Sequence, residues 1–169
     1  MNRLLDEGNL QFDFSAFRNA ERFDDMQVNG MKAVDFVAED NDCMYFVEVK
    51  DFQDPNAPAA RCNSDYKMLV DAGIKRKSIF SIEMGVKIKD SLLRNFSLGK
   101  KFTKKVVYLL LVNLDKFGEH ERGRLKEKIN GRIPTGLNND MFCKFSEIKF
   151  DLVNREQLKK YRIICTEKQ

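Results

Sequence analysis

The chain has 169 residues, 43% of them apolar and 33% charged, with a formal net charge of +4. Such a length and composition support one domain with its own core and exclude both a disordered chain and a pair of ordinary domains. The longest apolar run, VVYLLLV at 106–112, is too short to span a bilayer, and the opening MNRLLDEG lacks the apolar stretch of a signal peptide, so a cytoplasmic protein with no membrane partner is expected.

In chain order, residues 14–21 read as a short helix and 21–27 as a strand, with Phe12, Phe14, Phe17 and Phe23 as apolar anchors. Asn29-Gly30 marks a turn. MKAVDFVA (31–38) and CMYFVEVKD (43–51), joined by the polar turn EDNDC, predict an antiparallel hairpin. QDPNAP ends it, because proline cannot continue a ladder. Residues 59–98 predict helix, with Ile79, Ile82, Val86 and Leu93 at helical spacing and interruptions expected at Gly73 and Gly85. KVVYLLLVN (105–113) predicts a strand buried on both faces. A charged helix over 119–130 ends at Asn130-Gly131, a strand follows within 142–153, and Asn154 caps a short helix before RIICT. The order, roughly (α)βββ–α–β–α–β(α), predicts an α/β sandwich around a mixed sheet.

The charges are segregated. Residues 1–60 hold 5 Lys and Arg against 13 Asp and Glu, a net of −8, whereas residues 61–105 hold 12 against 4, a net of +8. An acidic centre beside a basic surface suits a bound cation next to a phosphate-bearing ligand; it also suits two halves that merely attract each other. The four cysteines, Cys43, Cys62, Cys143 and Cys165, have no paired spacing, and His120 is the sole histidine, so no zinc site is expected.

Three charges interrupt the apolar hairpin: Asp35, Glu48 and Lys50. Residues two apart share a strand face, so Glu48 and Lys50 project together, and Asp35 shares its face with Ala33 and Val37. Pairing around EDNDC brings Asp35 beside Glu48. Two carboxylates suit a hard divalent cation, and a lysine on the same face can position water or offset charge on a phosphoryl group. The plainer reading of these residues is a salt bridge; the apolar flanks argue against charges buried without a task.

The pattern D-x12-E-x-K, formed by Asp35 and Glu48-Val49-Lys50 on a hairpin followed by a helix and a strand, resembles the PD-(D/E)XK, or restriction-endonuclease-like, nuclease superfamily. The resemblance covers about residues 10–115. It implies a three-layer α/β/α core with a central mixed four-stranded sheet (αβββαβ), carrying C-terminal additions, in a single domain over 1–169. It implies a Mg2+- or Mn2+-dependent nuclease acting on DNA or RNA, with Asp35, Glu48 and the Val49 carbonyl as metal ligands and Lys50 as a catalytic group. An upstream acid completes such sites: Glu21 is the first choice, ahead of Asp24 and Glu7. Val34 stands before Asp35 where the pattern often has proline. Many members pair to cut two strands, so the resemblance is compatible with a homodimer, while the sequence itself leaves the oligomeric state open. Lys75, Arg76, Lys77, Lys87, Lys89, Arg94, Lys100 and Lys101 are the candidate nucleic-acid contacts, with Lys87 and Arg94 on one helical stripe. The alternative is an inactive nucleic-acid-binding or regulatory protein-interaction domain of the same fold.

Overall fold

The computed structural model describes residues 3–25, 28–53, 59–100, 104–135 and 147–168, with side chains of the first helix described from Ser64 onward. The central sheet has five strands in the order β3-β4-β5-β6-β7, formed by β3 (Asn19–Arg22), β4 (Phe36–Glu39), β5 (Cys43–Asp51), β6 (Lys105–Asn113) and β7 (Ile148–Val153). β3–β4 and β4–β5 pair antiparallel; β5–β6 and β6–β7 pair parallel. The parallel join from β5 to β6 needs a long crossover. α1 (Ala59–Ile74) and α2 (Ile79–Ser97) supply it, and α3 (Glu119–Asn130) connects β6 to β7.

The two faces of this sheet carry different covers. Met44, Phe46, Tyr108, Leu110 and Val112 face α1, α2 and α3, which contribute Leu69, Met84, Ile88, Leu125 and Ile129. Tyr45, Val47, Val49, Leu109 and Leu111 face the other way, onto Leu10, Phe12, Phe14, Leu158 and Ile163. That second cover is a small sheet of order β1-β2-β8, made of β1 (Leu4–Glu7), β2 (Leu10–Asp13) and β8 (Ile164–Glu167). Beside it lies α4 (Arg155–Leu158), whose start is fixed by reciprocal hydrogen bonds between Asn154 and Gln157. A 3-10 turn at Lys159–Tyr161 follows. The alternation of β5 between two apolar layers accounts for its nearly continuous burial.

Several expectations change. Residues 14–21 form no helix: Phe12, Phe14 and Phe17 lie on β2 and the turn after it, and β3 occupies 19–22. The chain thus begins with a hairpin rather than the α element of an αβββαβ core. The central sheet has five strands rather than four, and a small sheet with a short helix covers the face where an α/β/α sandwich would carry helices. The coarser expectation, a mixed α/β fold around a mixed sheet, holds. Gly85 lies inside α2 rather than at a break, because a Cβ there would come within 2.8 Å of Arg132 Cβ. The helix break falls instead between Ile74 and Ile79. The first part of the strand expected within 142–153 lies outside the described residues.

Phe36 packs with ring centroids 5.1 Å from Phe12 and 5.6 Å from Phe14, pinning the small sheet to the central one. We expect Phe36→Ala to destabilise the fold by about 3–5 kcal/mol, read as a lower urea midpoint.

Candidate active site

The hairpin register sets Phe36 opposite Val47, so continuing it by one residue sets Asp35 opposite Glu48. Both carboxylates face the helical layer, as do Val37 and Phe46. Glu48 is fully buried and Asp35 is 6% exposed. Burial of a carboxylate requires compensating donors. Asp35 Oδ2 accepts the Val49 N–H at 2.5 Å. The N–H and C=O of one strand residue project to the same edge, so the Val49 carbonyl is directed to the Asp35 side.

Two ammonium groups converge on Glu48. Lys50 Nζ lies 2.7 Å from Glu48 Oε1. Lys87 Nζ, entering from α2, donates to Oε1 at 2.7 Å and Oε2 at 2.8 Å, and lies 3.9 Å from Asp35 Oδ1. Burial disfavours the charged form of Lys50, but the charge and hydrogen bond of Glu48, with Asp35 and Glu83 behind them, outweigh it and raise its pKa. The Asp35 carboxyl is pushed up to about 7, chiefly by burial and next by the Glu48 charge, against the opposing pull of Lys87 and the Val49 N–H.

A third side of the site comes from the small sheet and the turn after β3. One carboxylate oxygen from each of Glu7, Asp24 and Asp35 lies within 4.8 Å of the others. Asp24 Oδ1 is buried without a hydrogen bond, and Arg22 Nη2 stands 3.6 Å from it and 2.5 Å from Glu7 Oε2. This places the lower-ranked choices, Glu7 and Asp24, beside Asp35. Glu21 is not brought there. It pairs in register with Val37 and its carboxylate binds Lys100 Nζ at 3.0 Å, one pleat farther along the sheet, where Phe23 takes the place opposite Asp35 by donating to its carbonyl.

A cleft of about 420 Å³ opens beside the acids, lined by Asp24, Lys32, Glu83, Lys87, Asp90 and Arg94 among others. Lys32 Nζ binds Glu83 Oε1 at 2.9 Å. Arg94 is 5% exposed; it donates to the Phe23 carbonyl and its guanidinium carbon lies 4.2 Å from the Phe23 ring centroid, while Nη2 has no protein partner. Two of the expected nucleic-acid contacts therefore differ from a solvated phosphate-binding stripe: Lys87 belongs to the acidic centre and Arg94 is packed into the wall of the cleft. Lys75, Arg76, Lys77 and Lys89 are exposed, Lys100 is half-buried, and Lys101 lies outside the described residues.

Lys87 had a readable signal. It follows Phe80 and Met84 and precedes Ser91 at spacings of seven, three and four, and all three are buried, so it lies on the inward stripe of α2. No comparable local signal places Glu7, which reaches the site through packing between the two sheets. Comparisons with protein-family models, with curated proteins and with solved structures returned no match.

The raised Asp35 pKa has a thermodynamic sign. The folded state holds a proton on Asp35 between about pH 4 and pH 7 that the unfolded chain has released, so stability falls as pH rises through that window. In chelator, we expect Asp35→Asn to be more stable than the parent at pH 8 by about 2–4 kcal/mol, with the gap closing toward pH 4. Denaturant titrations across that range measure it.

Proposed function

We propose that the protein is a metal-dependent nuclease that hydrolyses phosphodiester bonds in DNA or RNA. The observation that carries this reading is the meeting of Asp35 and Glu48, from neighbouring strands, with Lys50 and Lys87 in a buried site whose Lys87 also lines the cleft. The reading also rests on the resemblance of Asp35 and Glu48-Val49-Lys50 to the PD-(D/E)XK pattern.

The donor set suits Mg2+ or Mn2+, which prefer oxygen ligands. Asp35, Glu48 and the Val49 carbonyl would hold the ion, with Glu7 or Asp24 as the further acid. Lys87 Nζ lies within reach of both Asp35 and Glu48, so the oxygens of the two acids converge on one positive group. When bound, the ion supplies Lewis acidity toward a phosphoryl oxygen and toward water. Lys50 holds its proton firmly beside Glu48, which suits it to orient water and to offset negative charge on phosphate rather than to act as a base. Lys32 and Lys87 line the cleft in ion pairs with Glu83 and Glu48, and Lys75, Arg76 and Lys77, exposed at the turn before α2, remain the candidate contacts to a nucleic-acid backbone.

A second reading has its own observation. Glu48 is already neutralised by two ammonium groups, as it would be in an inactive nucleic-acid-binding or protein-interaction domain that retains the cluster as a structural ion network.

The test is cleavage of single- and double-stranded DNA and RNA with Mg2+ or Mn2+. Glu48→Gln is expected to remove activity, and Lys50→Ala to lower it by about 10²–10³-fold, both with the fold intact by circular dichroism. Absence of cleavage on all four substrates with both ions would sink the nuclease reading. Salt-sensitive binding that survives Glu48→Gln, without cleavage, would support the second.

A further inference from the structure

The oxygens that Asp35 and Glu48 could offer to a shared divalent ion are already engaged by one side chain. Asp35 turns Oδ2 to the Val49 N–H at 2.5 Å, which leaves Oδ1 as its other oxygen. Lys87 Nζ stands 3.9 Å from that Oδ1 and 2.7 and 2.8 Å from the two oxygens of Glu48. An ion bridging the two acids must therefore take oxygens that Lys87 now holds. Mg2+ binds oxygen at about 2.0–2.1 Å, so an ammonium left in that place would meet it as a like charge at near-contact distance. The two cations exclude each other.

Lys87 has somewhere else to go. Its side chain keeps 14% exposure where that of Glu48 has none, and it lines the cleft as well as the acidic centre. Glu83 lies four residues before it and Asp90 three after, so both share its side of α2. Both are half-buried and line the same cleft. Rotation about the long, flexible lysine stem carries Nζ from Glu48 toward these acids with the helix in place. The backbone of α2 is held independently, because Met84 and Ile88 are fully buried in the helical core.

We propose that Lys87 is an internal counter-ion that keeps the acidic centre closed, and that Mg2+ or Mn2+ at Asp35 and Glu48 drives its ammonium into the cleft toward Glu83 and Asp90. This rests on the reading of the two acids as metal ligands. The affinity of the centre for the ion is then set by the displacement of Lys87 as well as by the ligands themselves, since a ligand shifts a two-state group only by its preference for one state.

The exchange also joins the centre to the cleft. Before it, Lys32 is paired with Glu83 and Lys87 with Glu48. After it, Lys87 joins Lys32 beside Glu83 and Asp90, so the cleft wall gains a positive charge in the step that gives the acids their ion. A backbone phosphate in the cleft meets that charge only in the metal-loaded state, and by linkage it favours that state in return. Lys50 takes no part in the exchange; it reaches Glu48 from two residues along the same strand face.

Lysine reactivity in the full chain, without nucleic acid, tests the exchange. Pulses of acetic anhydride, mapped by mass spectrometry, read how free each ammonium is, and calorimetric titration with Mg2+ reads binding separately. Lys87 is expected to label slowly in chelator and at least about tenfold faster in saturating Mg2+, as a group moved from a minor to a major free population. Lys100, paired with Glu21 at 3.0 Å away from the centre, is expected to label at an unchanged rate. Lys87→Met is expected to bind Mg2+ about 10–100-fold more tightly than the parent, the range over which groups around a metal tune its affinity. The labelling needs no variant and decides the matter should Lys87→Met fold poorly. Mg2+ binding that leaves Lys87 labelling unchanged, or frees Lys50 in its place, would overturn the exchange and leave the metal reading standing. So would a folded Lys87→Met that binds Mg2+ no more tightly than the parent. Calorimetry that finds Mg2+ bound to neither protein would remove the metal reading and the exchange with it.

Discussion

The carboxylate of Glu48 has no exposure to solvent, and the surrounding architecture is arranged around that fact. A charge so placed is tolerable only with ionic partners held at contact distance. One partner, Lys50, comes from the same strand face two residues on. The other, Lys87, comes from α2, so the helix must sit at a fixed height over β5 for its Nζ to reach both Glu48 oxygens. Phe80, Met84 and Ile88 fix that height by packing into the helical core. The position of α2 is thus set jointly by apolar burial and by one ion cluster.

Asp35 extends the same logic to the sheet. Its side chain closes onto the Val49 N–H just before β4 begins, where the ladder could not supply an acceptor. The site therefore begins where regular pairing stops. Arg94 performs a related task on the wall of the cleft: it holds the Phe23 carbonyl and stacks on its ring, which steadies the turn that carries Asp24.

Much of this was legible in the sequence where burial and period agree. CMYFVEVKD and KVVYLLLVN give strands with the expected limits because both are apolar over a strand length and bounded by polar turns. The charged helix over 119–130 matches for a similar reason, with acids in its first turn and glycine after its end. The facing of Asp35, Glu48 and Lys50 followed from strand alternation alone. The first forty residues were harder. Their phenylalanines fit a helix or a strand equally, and the choice is made by β8, far along the chain, which pairs with β2. The expectation of Glu21 as the upstream acid rests on the same segment, and β3 instead sets Glu21 opposite Val37, in an ion pair with Lys100. The outward residues Ile79, Ile82, Val86 and Leu93 gave the helix but not its orientation, because α2 has two apolar faces and spacing cannot tell which one meets the sheet.

The pairing of β2 with β8 also shapes how the acidic corner comes into being. Leu10 lies opposite Glu167, so the small sheet closes a loop that contains the entire central sheet, and such distant closures form late. The hairpin that bears Asp35 and Glu48 is local and can assemble early. Glu7 belongs to the late element. A partial opening confined to the small sheet would withdraw Glu7 and leave the hairpin acids in place, so the acidic corner can lose one member at a time, in an order set by chain topology rather than by the strength of any one bond.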